Sequence, residues 1–289
     1  MDRIELALLR GVCQLPAYVA FECGFLREEG IEAQLSIAPT AWTVPERLVR
    51  GDIHFAVIPW TRVAADDNPD NRLVLVCGSG IEEAAIVVRA GLDVSEVRRV
   101  AVPQEGGIKD LTAMALLEQM GWQDAELVRM PSGDGAILAF VGEGADAASM
   151  VEPYAAMLEH LGIGRVVKRT GDVWPGAPGC SLTTTARQIE QAPELVERVV
   201  RAYLRGAELV ERDRERAAQI GATFIGVSAK VVERALESNR PNPNAIRNDA
   251  AMGRVLELMK QRGYIDAMPE GYRNLTALDC CTEHAAPDH

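Results

Sequence analysis

The sequence predicts an α/β protein made of two successive strand-and-helix units. Three observations lead there: short apolar runs alternate with helix-spaced segments from the first residues, the alternation stops and restarts after Gly91, and the last third of the chain reads as helix. With 289 residues, 48% hydrophobic and 25% charged, the chain has ample material for one large or two ordinary cores.

The elements follow in order. IELALL (4–9) reads as a short buried strand, and PAYVAFECGFLREEG (16–30) as a helix opened by Pro16 and closed by glycine. IEAQLSIA (31–38) alternates as a second strand. VPERLVRGD (44–52) is a helix with Gly51 as its stop, and IHFAVIPW (53–60) is a third strand. LVLVCGSG and the apolar run 84–91 add two more. After Gly91, VRRVAVPQEGGIKD (97–110) is a strand running into a glycine turn, followed by a helix at 111–122 and a smaller repeat of the motif at 125–135. Residues 136–158 read as helix, turn, strand and a second turn at Glu152-Pro153. The β-branched run CSLTTTA (180–186) follows the loop VWPGAPG and is read as a strand returning to the first unit. Segments 193–213, 228–238 and 248–263 are helices, the last two with Ser228 and Asn248 as N-caps.

Bulk properties remove several function classes. A net charge of −12 is the wrong sign for a surface that tracks phosphates, so nucleic acid is not an expected partner. No segment reaches the roughly 20 apolar residues of a membrane span. The first residues lack a small-residue cleavage signature. The six cysteines lack metal-ligand or disulfide spacing, which points to free thiols in a reducing compartment. The expectation is therefore a cytoplasmic protein if Met1 is the native start and a periplasmic one if a leader was removed. No metal site and no cofactor are expected.

In parallel α/β sheets ligands gather at the carboxyl ends of the strands, which directs attention to the loops there. Cys13 lies between the first strand and the first helix, beside Arg10 and Gln14; a thiol in such a place is either a small wall residue or a nucleophile. No histidine partner for it is evident, since His54 sits inside a strand. Arg10 offers the paired donors of an anion clamp. Thr40 and Trp42 follow the second strand, and Trp42, Trp60 and Trp174 together are candidates for a stacking surface. Gln104, Gly106, Gly107 and Ile108 form the turn before a helix, where backbone N–H groups can hold a polar head. Glu105 in that turn would repel an anion if it faced the cleft, favouring a neutral, cationic or zwitterionic ligand unless Lys109 compensates. Ser132, Asp134 and Glu152 occupy the next two turns.

The order of these segments resembles a known family. PAYVAFECGFLREEGIEAQL is similar to the first helix and second strand of the type II periplasmic solute-binding proteins, in the group for sulfonate, taurine, nitrate and thiamine-pyrimidine precursors. ERLVRGDIHFAVIP resembles that group's Gly-Asp-strand element, RVAVPQEGGIKDLTAMALLEQMG the opening of its second lobe, and FVGEGADAASMVEPYAAML its Gly-x-Asp-Ala run followed by Glu-Pro. The resemblance implies a two-lobed α/β fold with a small ligand in the interlobe cleft, hinge closure, lobe one at about 1–88 plus 187–289, and lobe two at about 89–186. It also implies a permease partner if the chain is exported. The leading functional expectation is binding of a small organic ligand, heterocyclic, aromatic or sulfonate-like, without turnover. The alternatives are a cytoplasmic enzyme on the same fold, desulfinase-like or pyrimidine-synthase-like, using Cys13, and a ligand sensor or delivery component that docks another protein.

Overall fold

The computed structural model describes residues 1–130 and 133–283. Its strands are β1 (Asp2–Leu8), β2 (Ile31–Ile37), β3 (Phe55–Pro59), β4 (Leu73–Gly78), β5 (Ala84–Arg89), β6 (Arg99–Val102), β7 (Glu126–Arg129), β8 (Ala147–Val151), β9 (Gly164–Arg169) and β10 (Cys180–Thr185). Its helices are α1 (Leu15–Glu22), α2 (Phe25–Glu28), α3 (Val44–Arg50), α4 (Trp60–Ala64), α5 (Ile108–Gln119), α6 (Gly133–Val141), α7 (Tyr154–His160), α8 (Ala186–Gln191), α9 (Pro193–Arg212), α10 (Arg214–Ile225), α11 (Ala229–Ala235), α12 (Asp249–Gln261) and α13 (Thr276–Glu283).

The strands form two five-stranded sheets, ordered β2-β1-β3-β10-β4 and β7-β6-β8-β5-β9. In each, parallel strands are joined by one antiparallel strand that arrives from the other lobe: β10 pairs antiparallel with β3 and β4, and β5 with β8 and β9. These two strands correct the expected lobe boundaries. Residues 84–88, placed by the expected boundary in lobe one, belong to β5 and the second sheet, and residues 180–185, placed by that boundary in lobe two, belong to β10 and the first, as their reading as a strand returning to the first unit anticipated. Strand-helix alternation identifies strands but carries no information about which sheet an antiparallel newcomer joins.

Packing follows from strand periodicity. Successive side chains of β5 point to opposite faces, so Ala85 and Val87 enter the core beneath α6 and α7 with Phe140 and Leu158, while Ile86 and Val88 enter the core beneath α5 with Met114 and Leu116. A strand buried on both faces reads as a continuous apolar run, as AAIVV does. The first sheet is covered by α1 and the long C-terminal helices, and α9 brings Gly206 against the backbone of α1 at Pro16 and Ala20.

Local differences from the expected elements have simple causes. The single helix expected over 16–30 is two, because Gly24 adopts φ 79° and breaks it into α1 and α2. At the end of the described residues α13 packs with Leu278 and Cys281 in the lobe-one core. The Glu152–Pro153 bond is cis. No helix among the described residues is long and apolar enough to cross a membrane.

Two crossovers join the lobes, Ser79–Glu83 between β4 and β5, and the stretch 170–179 between β9 and β10. They are zipped to each other: Gly179 N–H donates to the Gly80 carbonyl and Glu82 N–H to the Ala177 carbonyl, both at 3.0 Å. A third segment closes over them, with Asn242 N–H donating to the Ser79 carbonyl at 2.6 Å.

Candidate functional site

The carboxyl ends of β1, β2 and β3 from lobe one face those of β6 and β8 from lobe two across a cavity of about 390 Å³. The lobe-one wall carries Arg10 after β1, Ile37, Pro39, Thr40 and Trp42 around the end of β2, and Arg62 in α4. The lobe-two wall carries Pro103, Gln104, Gly107, Ile108 and Lys109 after β6, Val151 at the end of β8, and Tyr154 after it. The floor is made by Cys13, Glu83 and Cys180, one residue from the loop after β1, one from the first crossover and one from the start of β10.

Each wall is held by local structure. The side chain of Thr40 accepts from Trp42 N–H at 3.4 Å, which fixes the short 3-10 turn bearing the indole. The guanidinium of Arg62 lies 3.5 Å over the Trp42 ring, and its Nη2 donates to the Glu105 carbonyl across the cleft at 2.6 Å. Burial brings Arg62 down to about 10, which still leaves it charged at neutral pH. Opposite, α5 has Gly107 as its N-cap and no side-chain cap, and Gly107, Ile108 and Lys109 at this uncapped end line the cavity. The turn leading into α5 is anchored from behind by Asp110, which is fully buried. It accepts from Gly106 N–H and from the Tyr264 hydroxyl, both at 2.9 Å, and pairs with Arg129.

The floor is more polar than its burial implies. Gln14 Oε1 accepts from Leu9 N–H and its Nε2 donates to Cys13 Sγ, both at 3.2 Å. The Cys13 carbonyl accepts from Ser79 Oγ, which in turn accepts from the Tyr203 hydroxyl at 2.5 Å. Glu83 Oε1 accepts from Cys180 N–H at 2.6 Å. The hydrogen bond from Cys180 favours the Cys13 thiolate, yet burial and the neighbouring Glu83 outweigh it and hold the thiol above its ordinary value. Cys180 is pushed well up by its bond to Cys13 and by burial, and burial likewise raises the Glu83 carboxyl.

Of the residues singled out from the sequence, Arg10, Cys13, Gln14, Thr40, Trp42, Gln104, Gly107 and Ile108 line this cavity. Others do not. Trp60, the first residue of α4, is fully buried in the lobe-one core near Tyr272, and Trp174, in the second crossover, is in the same core, because both side chains turn inward. Gly106 is behind the turn, its φ of 80° directing the N–H to Asp110. Glu152 is a structural tie: its carboxylate accepts from Ala156 N–H and from Arg169 Nη1, both at 2.9 Å, and from Ser238 at 3.3 Å. Ser132 lies outside the described residues, as does the side chain of Asp134. Glu105 is exposed, 3.6 Å from Arg129, and does not line the cavity, which removes the expected repulsion of an anion. His54 accepts from Glu5 N–H at 3.0 Å and serves the sheet.

Sequence reasoning missed Arg62, Tyr154, Glu83 and Cys180. The pair Glu82-Glu83 immediately before an apolar strand was the available signal for a buried crossover acid, and Cys180 opens the returning strand. Neither signal says that the two meet Cys13.

The same fold recurs in solved structures. The ligand-binding component of an ABC-type import system from Staphylococcus aureus, with zinc bound, aligns with a TM-score of 0.84 at 17% identity, covering 96% of this chain and 98% of that one. The periplasmic nitrate-binding protein NrtA from Synechocystis PCC 6803 aligns at 0.83 and 14%, covering 99% and 89%. The alkanesulfonate-binding protein SsuA from Xanthomonas axonopodis pv. citri, bound to MOPS, aligns at 0.79 and 18%, covering 96% and 99%. Among curated proteins no sequence relative matches. These likenesses establish the two-lobed α/β architecture of the type II periplasmic binding proteins. At the level of sequence, residues 2–225 match one family throughout, a stretch that holds both sheets, both crossovers and every residue of the cavity; the chain belongs to the NMT1-like family.

Proposed function

We propose that the chain binds a small organic anion with an apolar body in the interlobe cavity, without turning it over. One observation carries this: three cations, Arg10, Arg62 and Lys109, and the uncapped N-terminus of α5 converge on a space otherwise walled by Ile37, Pro39, Trp42, Pro103, Val151 and Tyr154. Among the described residues no carboxylate or carbonyl pairs with the Arg10 guanidinium. A sulfonate or carboxylate head between Arg10 and α5 would satisfy both, and the apolar body would lie against Trp42 and Tyr154. The sulfonate- and nitrate-binding proteins that share the fold support the anion class. Delivery to a permease is the extension of this reading if the chain is exported.

The test is a fluorescence titration reading Trp42, run in a chelator with small aryl and alkyl sulfonates, carboxylates and their neutral amides. Anions are expected to bind and amides not to. Arg10→Ala is expected to weaken anion binding about 10- to 100-fold, the worth of a hydrogen bond to a charged group. Equal affinity for acid and amide would remove the reading.

The contact of Cys13 with Glu83 favours a second reading, turnover of a sulfur-bearing substrate with Cys13 as nucleophile and Glu83 as proton carrier. Under the binding reading Cys13→Ser retains the ligand intact. A product released by the wild type and absent with that variant would select the enzyme.

A further inference from the structure

The floor of the cavity contains a group of side chains that neither wall uses. Cys13, Glu83 and Cys180 each present one donor atom, and the three atoms lie within 4.8 Å of one another. All three residues are buried, Glu83 at 1% exposure and each cysteine at 5%. The fold makes specific room for them. A Cβ at Gly179 would overlap the Glu83 carboxyl group, and a Cβ at Gly80 would come within 3.1 Å of Glu83 Oε1 and 3.3 Å of Cys13 Cβ. Two glycines, one on each crossover, therefore form a cradle for one carboxylate.

The partners of the carboxylate are themselves unusual. It accepts a hydrogen bond from Cys180 N–H, and among the described residues no arginine, lysine or histidine forms a salt bridge with it. A buried carboxylate without a bonded cation is costly unless a proton or a metal supplies the charge. On the far side of Gly80, Asn239 is 2% exposed and both polar atoms of its amide are without a partner. The sulfur of Cys13 receives the Gln14 N–H, a donor arrangement that suits a thiolate, and Gln14 is fixed by Leu9 in turn.

We propose that Cys13, Glu83 and Cys180 bind one thiophilic divalent cation, with zinc as the probe, leaving a fourth position open toward the cavity. Two sulfurs and one carboxylate oxygen are a zinc ligand set, and a tetrahedral ion with bonds of about 2.3 Å to sulfur and about 2.0–2.2 Å to oxygen fits between donors at this spacing after small side-chain adjustments. Three protein ligands with an open fourth position is the arrangement that leaves a metal accessible to solvent or to a ligand head group. Binding releases the thiol protons of Cys13 and Cys180 to solvent. Lys109, which lines the same cavity, offsets the surplus negative charge of two thiolates and a carboxylate around a divalent ion. The inference does not depend on the anion reading above.

The experiment titrates the reduced full-length protein with cobalt(II) and zinc, reading the sulfur-to-cobalt charge-transfer and tetrahedral d–d bands, and follows the protons released. One equivalent is expected, with zinc displacing cobalt. Cys13→Ser and Cys180→Ser are each expected to lose more than about 100-fold in affinity and to halve the charge-transfer intensity, and Gln14→Leu to lose about 10- to 100-fold while keeping both sulfurs. Circular dichroism of each variant shows that it is folded. If the folded wild type binds no stoichiometric cobalt, or if the double variant Cys13→Ser/Cys180→Ser binds as the wild type does, the proposal is overturned. Recovery of a Cys13–Cys180 disulfide from unreduced protein, together with no cobalt spectrum after reduction, would also overturn it. The anion titration is run in chelator, so failure of the metal site leaves that result standing and failure of anion binding leaves this one.

Discussion

Asp110→Ala will lower stability by about 3–5 kcal/mol, the range for removing one partner of a buried ion pair. The carboxylate is fully buried and answers three donors at once, the Gly106 N–H, the Tyr264 hydroxyl and the Arg129 guanidinium. Alanine leaves all three without it. The loss extends to function because the anchored turn carries Gln104, Gly107 and Ile108 into the cavity, so anion affinity is expected to fall with stability. Asp110→Asn preserves the shape and two acceptor bonds and should cost about half as much. Chemical denaturation of both variants, followed by the titration described above, checks the prediction; a loss below about 1 kcal/mol for alanine would show that the turn is held by something else.

Gly206→Ala is the second large effect, about 3 kcal/mol of destabilisation, toward the upper end for overpacking a core. The added Cβ would overlap the carbonyl oxygen of Pro16 and would also come within 3.0 Å of the Pro16 carbonyl carbon and 3.2 Å of the Ala20 nitrogen. Those are backbone atoms of α1 and cannot rotate away, so α1 and α9 must separate. Since α1 begins directly after the loop bearing Arg10 and Cys13, displacement of the helix should also disturb the cavity. Gly253, inside α12, supplies the control. Its Cβ would meet nothing within 4 Å, and Gly253→Ala should gain about 0.5–1 kcal/mol through helix propensity alone. Opposite signs for two glycine-to-alanine changes in helices, measured by denaturant melts, would separate packing from propensity; a gain at both positions would contradict the close contact.

Much of this was legible in the sequence, and the reason is periodicity. Strand runs such as FAVIP and helix stops such as Gly51 are local signals, and they carry the strand-helix order and the parallel pairings within each sheet, though not the antiparallel strand in each. The loops at strand ends followed from the sheet class, so Arg10, Gln14, Thr40, Trp42 and the turn at 104–108 could be singled out before their positions were known. What periodicity does not carry is side-chain direction at the end of an element. Trp60 follows β3 and Trp174 lies in the second crossover, yet each is buried in the core, whereas Trp42 lines the cavity. Long-range convergence is also invisible locally. The meeting of Cys13, Glu83 and Cys180 depends on both crossovers lying side by side and on glycines at 80 and 179, three places in the chain with no shared pattern.

The bonds that bridge the cleft have a kinetic meaning. Arg62 holds the Glu105 carbonyl and Tyr264 holds Asp110, each joining one lobe to the other beside the cavity mouth. With Cys13, Glu83 and Cys180 so little exposed, a ligand that reaches the floor must wait for these latches to part. Association should then stop accelerating as ligand is added and level off at the rate at which the lobes swing open, a plateau that stopped-flow mixing would reveal and that Arg62→Ala should raise. Exchange of ligand would be timed by the protein's own hinge and not by how often the two molecules collide.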